Sequence, residues 1–192
     1  MNKSRSNNIL YLVFSGLLCG ISIMIPMVFP KVVIEPMSFT LASHVPTFLA
    51  IFISPAVAIA TCIASAIGFF ITTSPVIAMR ALSHIGFVLV GCLILKKKSD
   101  VLQKPSSAMG FGFVLSLVHA LCETLVVAAF YFGGAMTGKW YANGFLFSVI
   151  LLVGGGTILH SMVDFTIAVA VWKPVQNFIS IPVAASMKKK VA

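Results

Sequence analysis

The sequence predicts an all-α membrane protein that crosses the bilayer six times as a single integral domain over residues 1–192, with both ends in the cytoplasm. Three observations carry this. Hydrophobic residues make up 59% of the chain and Asp, Glu, Lys and Arg only 9%, where a soluble domain has roughly 25% charged residues. The apolar residues gather into stretches of the length a helical span requires, about 20 residues. The basic residues are sorted by loop, which is the orientation signal of membrane helices.

The first helix is expected over about 9–28, preceded by Lys3 and Arg5. No A-x-A cleavage site follows it, so it reads as a retained helix. A polar, proline-marked connection comes next, with Pro30, Lys31, Glu35 and Pro36. The apolar run from Leu41 to Thr73 is too long for one span. Ser54-Pro55 divides it into helices over about 41–54 and 56–73, because proline breaks a helix interior but suits a first turn. Thr72-Thr73-Ser74-Pro75 ends the third helix. The fourth, about 76–95, stops at Lys96-Lys97-Lys98, and a hydrophilic linker runs from Asp100 to Ser107. The fifth, about 108–132, ends at Gly133-Gly134. The sixth, about 144–172, is closed by Lys173-Pro174, and a tail with a short interfacial helix finishes in Lys188-Lys189-Lys190.

The net charge is +9. In a soluble protein this would suggest nucleic acid; here the basic residues flank apolar spans and face the bilayer headgroups, so no nucleic-acid partner is expected. With the N-terminus inside, Lys3, Arg5, Lys96, Lys97, Lys98, Lys104, Lys173, Lys188, Lys189 and Lys190 are cytoplasmic. Lys31 and Lys139 alone lie in outer loops. Ten against two fixes the expected orientation. The four cysteines (Cys19, Cys62, Cys92, Cys122) all lie in apolar stretches without C-x-x-C spacing and read as small buried hydrophobes. Neither a metal site nor a cofactor is expected in this chain.

Charged side chains inside the membrane cost at least about 2.5–3.5 kcal/mol at the bilayer centre, so each needs a partner, a cavity or a ligand. Arg80 and His84, His119 and Glu123, and His160 and Asp164 are all i, i+4 pairs, each on one face of its own helix. Each pair can satisfy itself or join helices. Arg80, near the outer end of the fourth helix, can instead offer its planar fork to a carboxylate ligand, pair with Glu123, or snorkel to the membrane surface. His44 opens the second helix and is either structural or a ligand contact. In the outer loop 133–143, Gly133-x4-Gly138-Lys139 resembles a P-loop, but Trp140 stands where Ser or Thr must hold magnesium. Trp140 and Tyr141 are interface anchors or ring-stacking contacts, and Asn143 at the end of this loop joins them as a binding candidate. Gly154-Gly155-Gly156 marks close packing or a kink. Gly16 and Gly20 make a small-x3-small face on the first helix, suited to another helix's backbone inside or outside the fold. No G-x-S-x-G or H-E-x-x-H motif or nucleophile constellation occurs, and the His–acid pairs sit on separate helices, so an enzyme is not expected.

Some 190 residues, six helices, a short second helix and a small-x3-small first helix together resemble the substrate-binding S components of energy-coupling factor (ECF) vitamin transporters. Pro36–Pro46, Phe52–Pro55 and Arg80-Ala-Leu-Ser-His84 look most like the niacin-specific members. The resemblance implies a bacterial membrane protein that captures a vitamin from outside, beneath a lid made by the first loop. It also implies docking through Gly16 and Gly20 onto a transmembrane coupling subunit that works with two cytoplasmic ATPases, where ATP and magnesium would be used. Nicotinate suits the candidates: Arg80 for the carboxylate, His84 or His44 for the ring nitrogen or carboxylate, Phe39, Trp140 or Tyr141 for stacking. Two alternatives stay open. One is an S component for another vitamin or precursor. The other is a stand-alone proton-coupled carrier in which Glu123, His119, Asp164 and His160 relay protons.

Overall fold

A computed structural model describes residues 3–34, 37–136, 138–178 and 182–187; Glu35, Pro36 and the terminal Lys188–Lys190 cluster lie outside these. The chain is a helical membrane protein. Five helical stretches are long and apolar enough to cross a bilayer: Asn7–Val28, Pro55–Thr72, Pro75–Lys97, Pro105–Phe132 and Leu146–Val175. Their outward faces carry large apolar side chains such as Leu12, Phe132 and Leu159, each more than 70% exposed. Aliphatic surface on this scale is what hydrocarbon, not water, tolerates.

The elements run α1 (Lys3–Val28), β1 (Lys31–Ile34), β2 (Met37–Thr40), α2 (Val45–Ile53), α3 (Pro55–Thr72), α4 (Pro75–Ser83), α5 (Ile85–Lys97), α6 (Pro105–Phe132), α7 (Gly138–Ala142), a π-helix (Leu146–Gly155) and α8 (Gly156–Val175). Ser54 separates α2 from α3 as expected: its extended backbone breaks the helix, its hydroxyl accepts from Val57 N, and Pro55 starts the next turn. The second helix is shorter than the expected 41–54. Nine residues rise about 14 Å, well under the roughly 30 Å hydrocarbon core. All but one of them are buried, and α2 is the central rod of the bundle, packed against α1, α3, α5 and α8. It can be short because the chain ahead of it enters the bundle as an antiparallel hairpin. β1 and β2 pair with Lys31 opposite Thr40 and Ile34 opposite Met37.

Three further departures from the sequence reading bear on the site. The expected fourth helix is two, α4 and α5, joined at His84, where His84 N bonds back only three residues to Ala81 O. Such a tight turn within a helix often marks a functional bend. The expected sixth helix begins as a ten-residue π-helix, which Gly154 and Gly155 end and Gly156 converts to α-helix. A Cβ at Gly156 would overlap the Met37 sulfur, so this glycine is where the hairpin seats on the bundle. Among the described tail residues no interfacial helix forms. Residues 182–187 run across the end of the bundle, where Ala184 N and Ala185 N donate to Ile53 O and Phe52 O at 3.1 and 3.0 Å and satisfy the last carbonyls of α2. Trp172 Nε1 donates to Ala185 O at 3.2 Å and closes that end.

Close approach between helices comes from glycine. A Cβ at Gly68 of α3 would meet the Ile23 backbone of α1 at 2.8 Å, and one at Gly112 of α6 would meet the Phe165 ring of α8. Below the site, Phe48, Phe87 and Phe165 form an aromatic floor, with ring centroids 5.3–5.4 Å from Phe48.

Candidate functional site

The polar residues gather at the end of α2 opposite the tail. Five elements supply them: β2 and the turn before α2 (Ser38, Phe39, Thr40, Ser43, His44), α4 and its junction (Arg80, His84), α6 (His119, Glu123) and α8 (Thr157, His160, Ser161, Asp164). The i, i+4 spacings put each pair on an inward face, and the crossing of α6 and α8 brings the faces together. The expectation that the His–acid pairs lie apart is therefore corrected. All four imidazoles pack edge-to-face in one cluster: His44 lies 4.8, 4.6 and 4.7 Å from His84, His119 and His160 by ring centroid, and His84 lies 4.5 Å from His119.

Glu123 is the hub. Arg80 Nη2 donates to its Oε2 at 2.8 Å and Thr157 Oγ1 donates to the same oxygen at 2.6 Å. Its Oε1 faces two imidazole nitrogens, His84 Nε2 at 3.2 Å and His119 Nε2 at 3.4 Å. His119 Nδ1 lies 3.2 Å from Ser161 Oγ. Arg80 and Glu123 are each 5% exposed and His119 not at all. A buried ion pair of this kind loses far more when one partner is removed than when both are, so Arg80→Ala would strand the Glu123 carboxylate without its charge partner.

Asp164 works at the start of α2. Its Oδ1 accepts from Ala42 N at 3.0 Å and its Oδ2 from His44 N at 2.9 Å, while His44 Nδ1 and His160 Nε2 lie 2.9 and 3.2 Å from Oδ2. The turn needs this help. Ala42 adopts φ 64°, costly for a residue with a Cβ, and the first amides of α2 have no side-chain cap of their own. A carboxylate at a helix N-terminus supplies both acceptor and favourable charge.

Two nitrogens of Arg80, Nε and Nη1, and His84 Nδ1 are buried with no hydrogen-bond partner among the described residues. They border a cavity lined by Phe39, His44, Phe69, Arg80, Glu123 and His160, among others. Its free volume is about 30 Å³, room for about one or two waters. Phe39 roofs it, its ring 4.9 Å from that of His160.

Of the residues singled out from sequence, Phe39, His44, Arg80, His84 and Glu123 come together here. Trp140, Tyr141 and Asn143 do not line this cavity. Trp140 packs on Val76, Val127, Val149 and Val153, Tyr141 donates to Tyr131 O at 3.0 Å, and Asn143 is exposed. Gly16 and Gly20 lie on the outward face of α1, with open space beside both. Sequence reading missed Thr157 and Ser161. The spacing 157, 160/161, 164 places them on the face of His160 and Asp164, and that was the available signal.

Comparison with known proteins gives one informative relative. The chain is 37% identical over 173 residues to the niacin transporter NiaX of Lactococcus lactis subsp. cremoris, an alignment that covers 88% of this chain and 75% of the relative. No family model and no solved structure matches the chain.

Proposed function

The chain belongs to the family of niacin-specific S components that includes this relative, and from that membership we propose that it is the niacin-binding subunit of an energised vitamin importer in the bacterial membrane. The observation that carries the reading is Arg80. It is held by Glu123 through one nitrogen, and its other two are unpartnered at a buried cavity. A guanidinium so placed favours a carboxylate over a neutral amide, so nicotinate is the preferred form over nicotinamide. His84, with its own unpartnered Nδ1, is the second polar contact, and Phe39 supplies a ring face.

The finer architecture belongs to the same proposal. Six crossings result if α2 and the hairpin ahead of it count as one. Lys96, Lys97, Lys98, Lys104 and Lys173 lie toward the end sealed by residues 182–187, and Lys31 toward the other. By the positive-inside rule the tail end is cytoplasmic and the cavity opens outward. The exposed Gly16/Gly20 face of α1 is the docking surface for a transmembrane coupling subunit, and two cytoplasmic ATPases supply the ATP hydrolysis.

The test is equilibrium binding of nicotinate and nicotinamide to the purified protein in detergent, with Arg80→Lys as the variant that keeps the ion pair. We expect nicotinate to bind at least tenfold tighter than nicotinamide, and Arg80→Lys to erase most of that preference, a change of about 1.4 kcal/mol or more. Equal binding of both forms would remove Arg80 as the carboxylate partner. Copurification tests the assembly: an S component brings down a coupling protein and two ATPases, whereas a proton-coupled carrier purifies alone.

A further inference from the structure

We propose that His44, His84, His119 and Glu123 form a binding site for a divalent transition-metal ion at the floor of the cavity. One nitrogen from each of the three rings and a carboxylate oxygen of Glu123 all lie within 4.8 Å of one another, and all four residues are buried. Three imidazoles and one carboxylate suit zinc, cobalt or nickel better than magnesium or calcium, which take oxygen ligands.

Three observations carry the assignment. The first is spacing. Ligands about 2.0–2.1 Å from a tetrahedral ion stand roughly 3.3–3.4 Å from each other; His84 Nε2 and His119 Nε2 stand 3.2 and 3.4 Å from Glu123 Oε1. The second is an unpartnered donor. His119 Nε2 is fully buried and stands 3.4 Å from this carboxylate oxygen without the alignment of a good hydrogen bond, an arrangement that is costly in a low-dielectric interior unless a further group engages the nitrogen. The outer contacts follow the pattern of metal-bound histidine, in which a second group fixes the ring: His119 Nδ1 lies on Ser161 Oγ, and Asp164 grips His44. Glu123 Oε2 is already held by Arg80 and Thr157, which leaves Oε1 for the ion.

The third is charge. Glu123 and Asp164 together carry −2 and Arg80 carries +1, so the cluster has a net −1 with neutral imidazoles. A bound nicotinate would raise this to −2 inside the membrane. A divalent ion makes the empty site +1 and the nicotinate-filled site neutral. This last step rests on the niacin reading; the first two observations do not.

The test titrates zinc and cobalt(II) into chelator-stripped protein in detergent. Bound metal is measured by elemental analysis, and cobalt is followed by its visible absorption. We expect one ion per chain and the intense absorption of four-coordinate cobalt. Ser161→Ala, which removes only the outer contact to His119, should weaken uptake about 10–100-fold, and His119→Gln should abolish it. Should His119→Gln fail to fold, the Ser161→Ala shift and the wild-type cobalt spectrum decide. Less than a tenth of an equivalent bound by the wild-type protein, or uptake that Ser161→Ala and His119→Gln leave unchanged, overturns the site. Nicotinate binding is read on the same samples. Protein that takes the ion but not nicotinate upholds the metal site and defeats the niacin reading; protein that takes nicotinate but no ion does the reverse.

Discussion

Removing Arg80 alone leaves the Glu123 carboxylate buried with one hydroxyl donor, Thr157, and two imidazoles around it. Stranding a buried charge in this way costs about 3–5 kcal/mol, whereas replacing both partners with uncharged groups is often nearly neutral. Arg80→Ala is therefore expected to lower stability by about 3–5 kcal/mol, and Arg80→Ala combined with Glu123→Gln to recover most of that loss. Unfolding of wild type, Arg80→Ala, Glu123→Gln and the double variant in the same detergent checks it. If the two single changes simply add, Arg80 and Glu123 do not form the pair described. At this scale the sequence was partly legible. An arginine and two acids in apolar helices have to be satisfied, and i, i+4 spacing named the faces. Pairing of Arg80 with Glu123 was one alternative the sequence offered, and the ion pair forms; what singled it out was not legible, because spacing along one helix says nothing about how α4, α6 and α8 cross. Asp164 was the least legible. Its neighbour in sequence, His160, is one of its partners, but its other contacts are the His44 ring and the backbone amides of His44 and Ala42, 120 and 122 residues away.

Among elements, the β1–β2 hairpin was read only as a proline-marked connection. A four-residue strand of Lys-Val-Val-Ile carries too little periodicity to stand out from its apolar surroundings. Its importance comes from where it seats: Met37 fills the notch left by Gly156, and Phe39 covers the His160 ring. The cavity beneath holds about 30 Å³, too little for a six-membered ring, so under the proposed niacin reading the ligand enters only if this hairpin shifts. Met37 is 9% exposed in the seated position, and truncating a buried methionine to alanine costs about 2–5 kcal/mol. If roughly a third to a half of that belongs to the seated state alone, Met37→Ala favours the open hairpin by about tenfold. On the proposed reading we expect nicotinate to leave Met37→Ala about tenfold faster than wild type, measured by rapid mixing, together with a lowered thermal stability of the ligand-free protein, in which the hairpin is seated. An unchanged release rate would show that the route into the cavity does not pass under β2. The α4–α5 bend at His84 was equally hidden, since neither Pro nor Gly occupies it. Ser83 Oγ donates to Arg80 O at 2.7 Å, a local bond that competes with regular helix geometry.

Over the whole molecule, the two ends differ in chemistry, and that difference was the most legible feature of the sequence. One end carries the lysine-rich linkers and is sealed by residues 182–187, which bond to the last carbonyls of α2 and bury Trp172. The other carries Lys31, the hairpin and the cluster of histidines and acids. Spans and lysine counts are local properties that hydropathy and charge record directly. The tail's return across the bundle depends on long-range packing, and no pattern in Pro182–Met187 announces it. Polarity fixes which way a captured vitamin must travel, so orientation is the proposition on which import stands. It can be tested with single cysteines at Lys31 and Lys104, which sit at opposite ends of the bundle, using the unmodified chain as the blank because Cys19, Cys62, Cys92 and Cys122 all lie within helices. A membrane-impermeant maleimide added to intact cells is expected to label Lys31→Cys, and to reach Lys104→Cys only after the membrane is opened. The reverse pattern would turn the Arg80 cavity toward the cytoplasm, where it could release a vitamin but not capture one from outside.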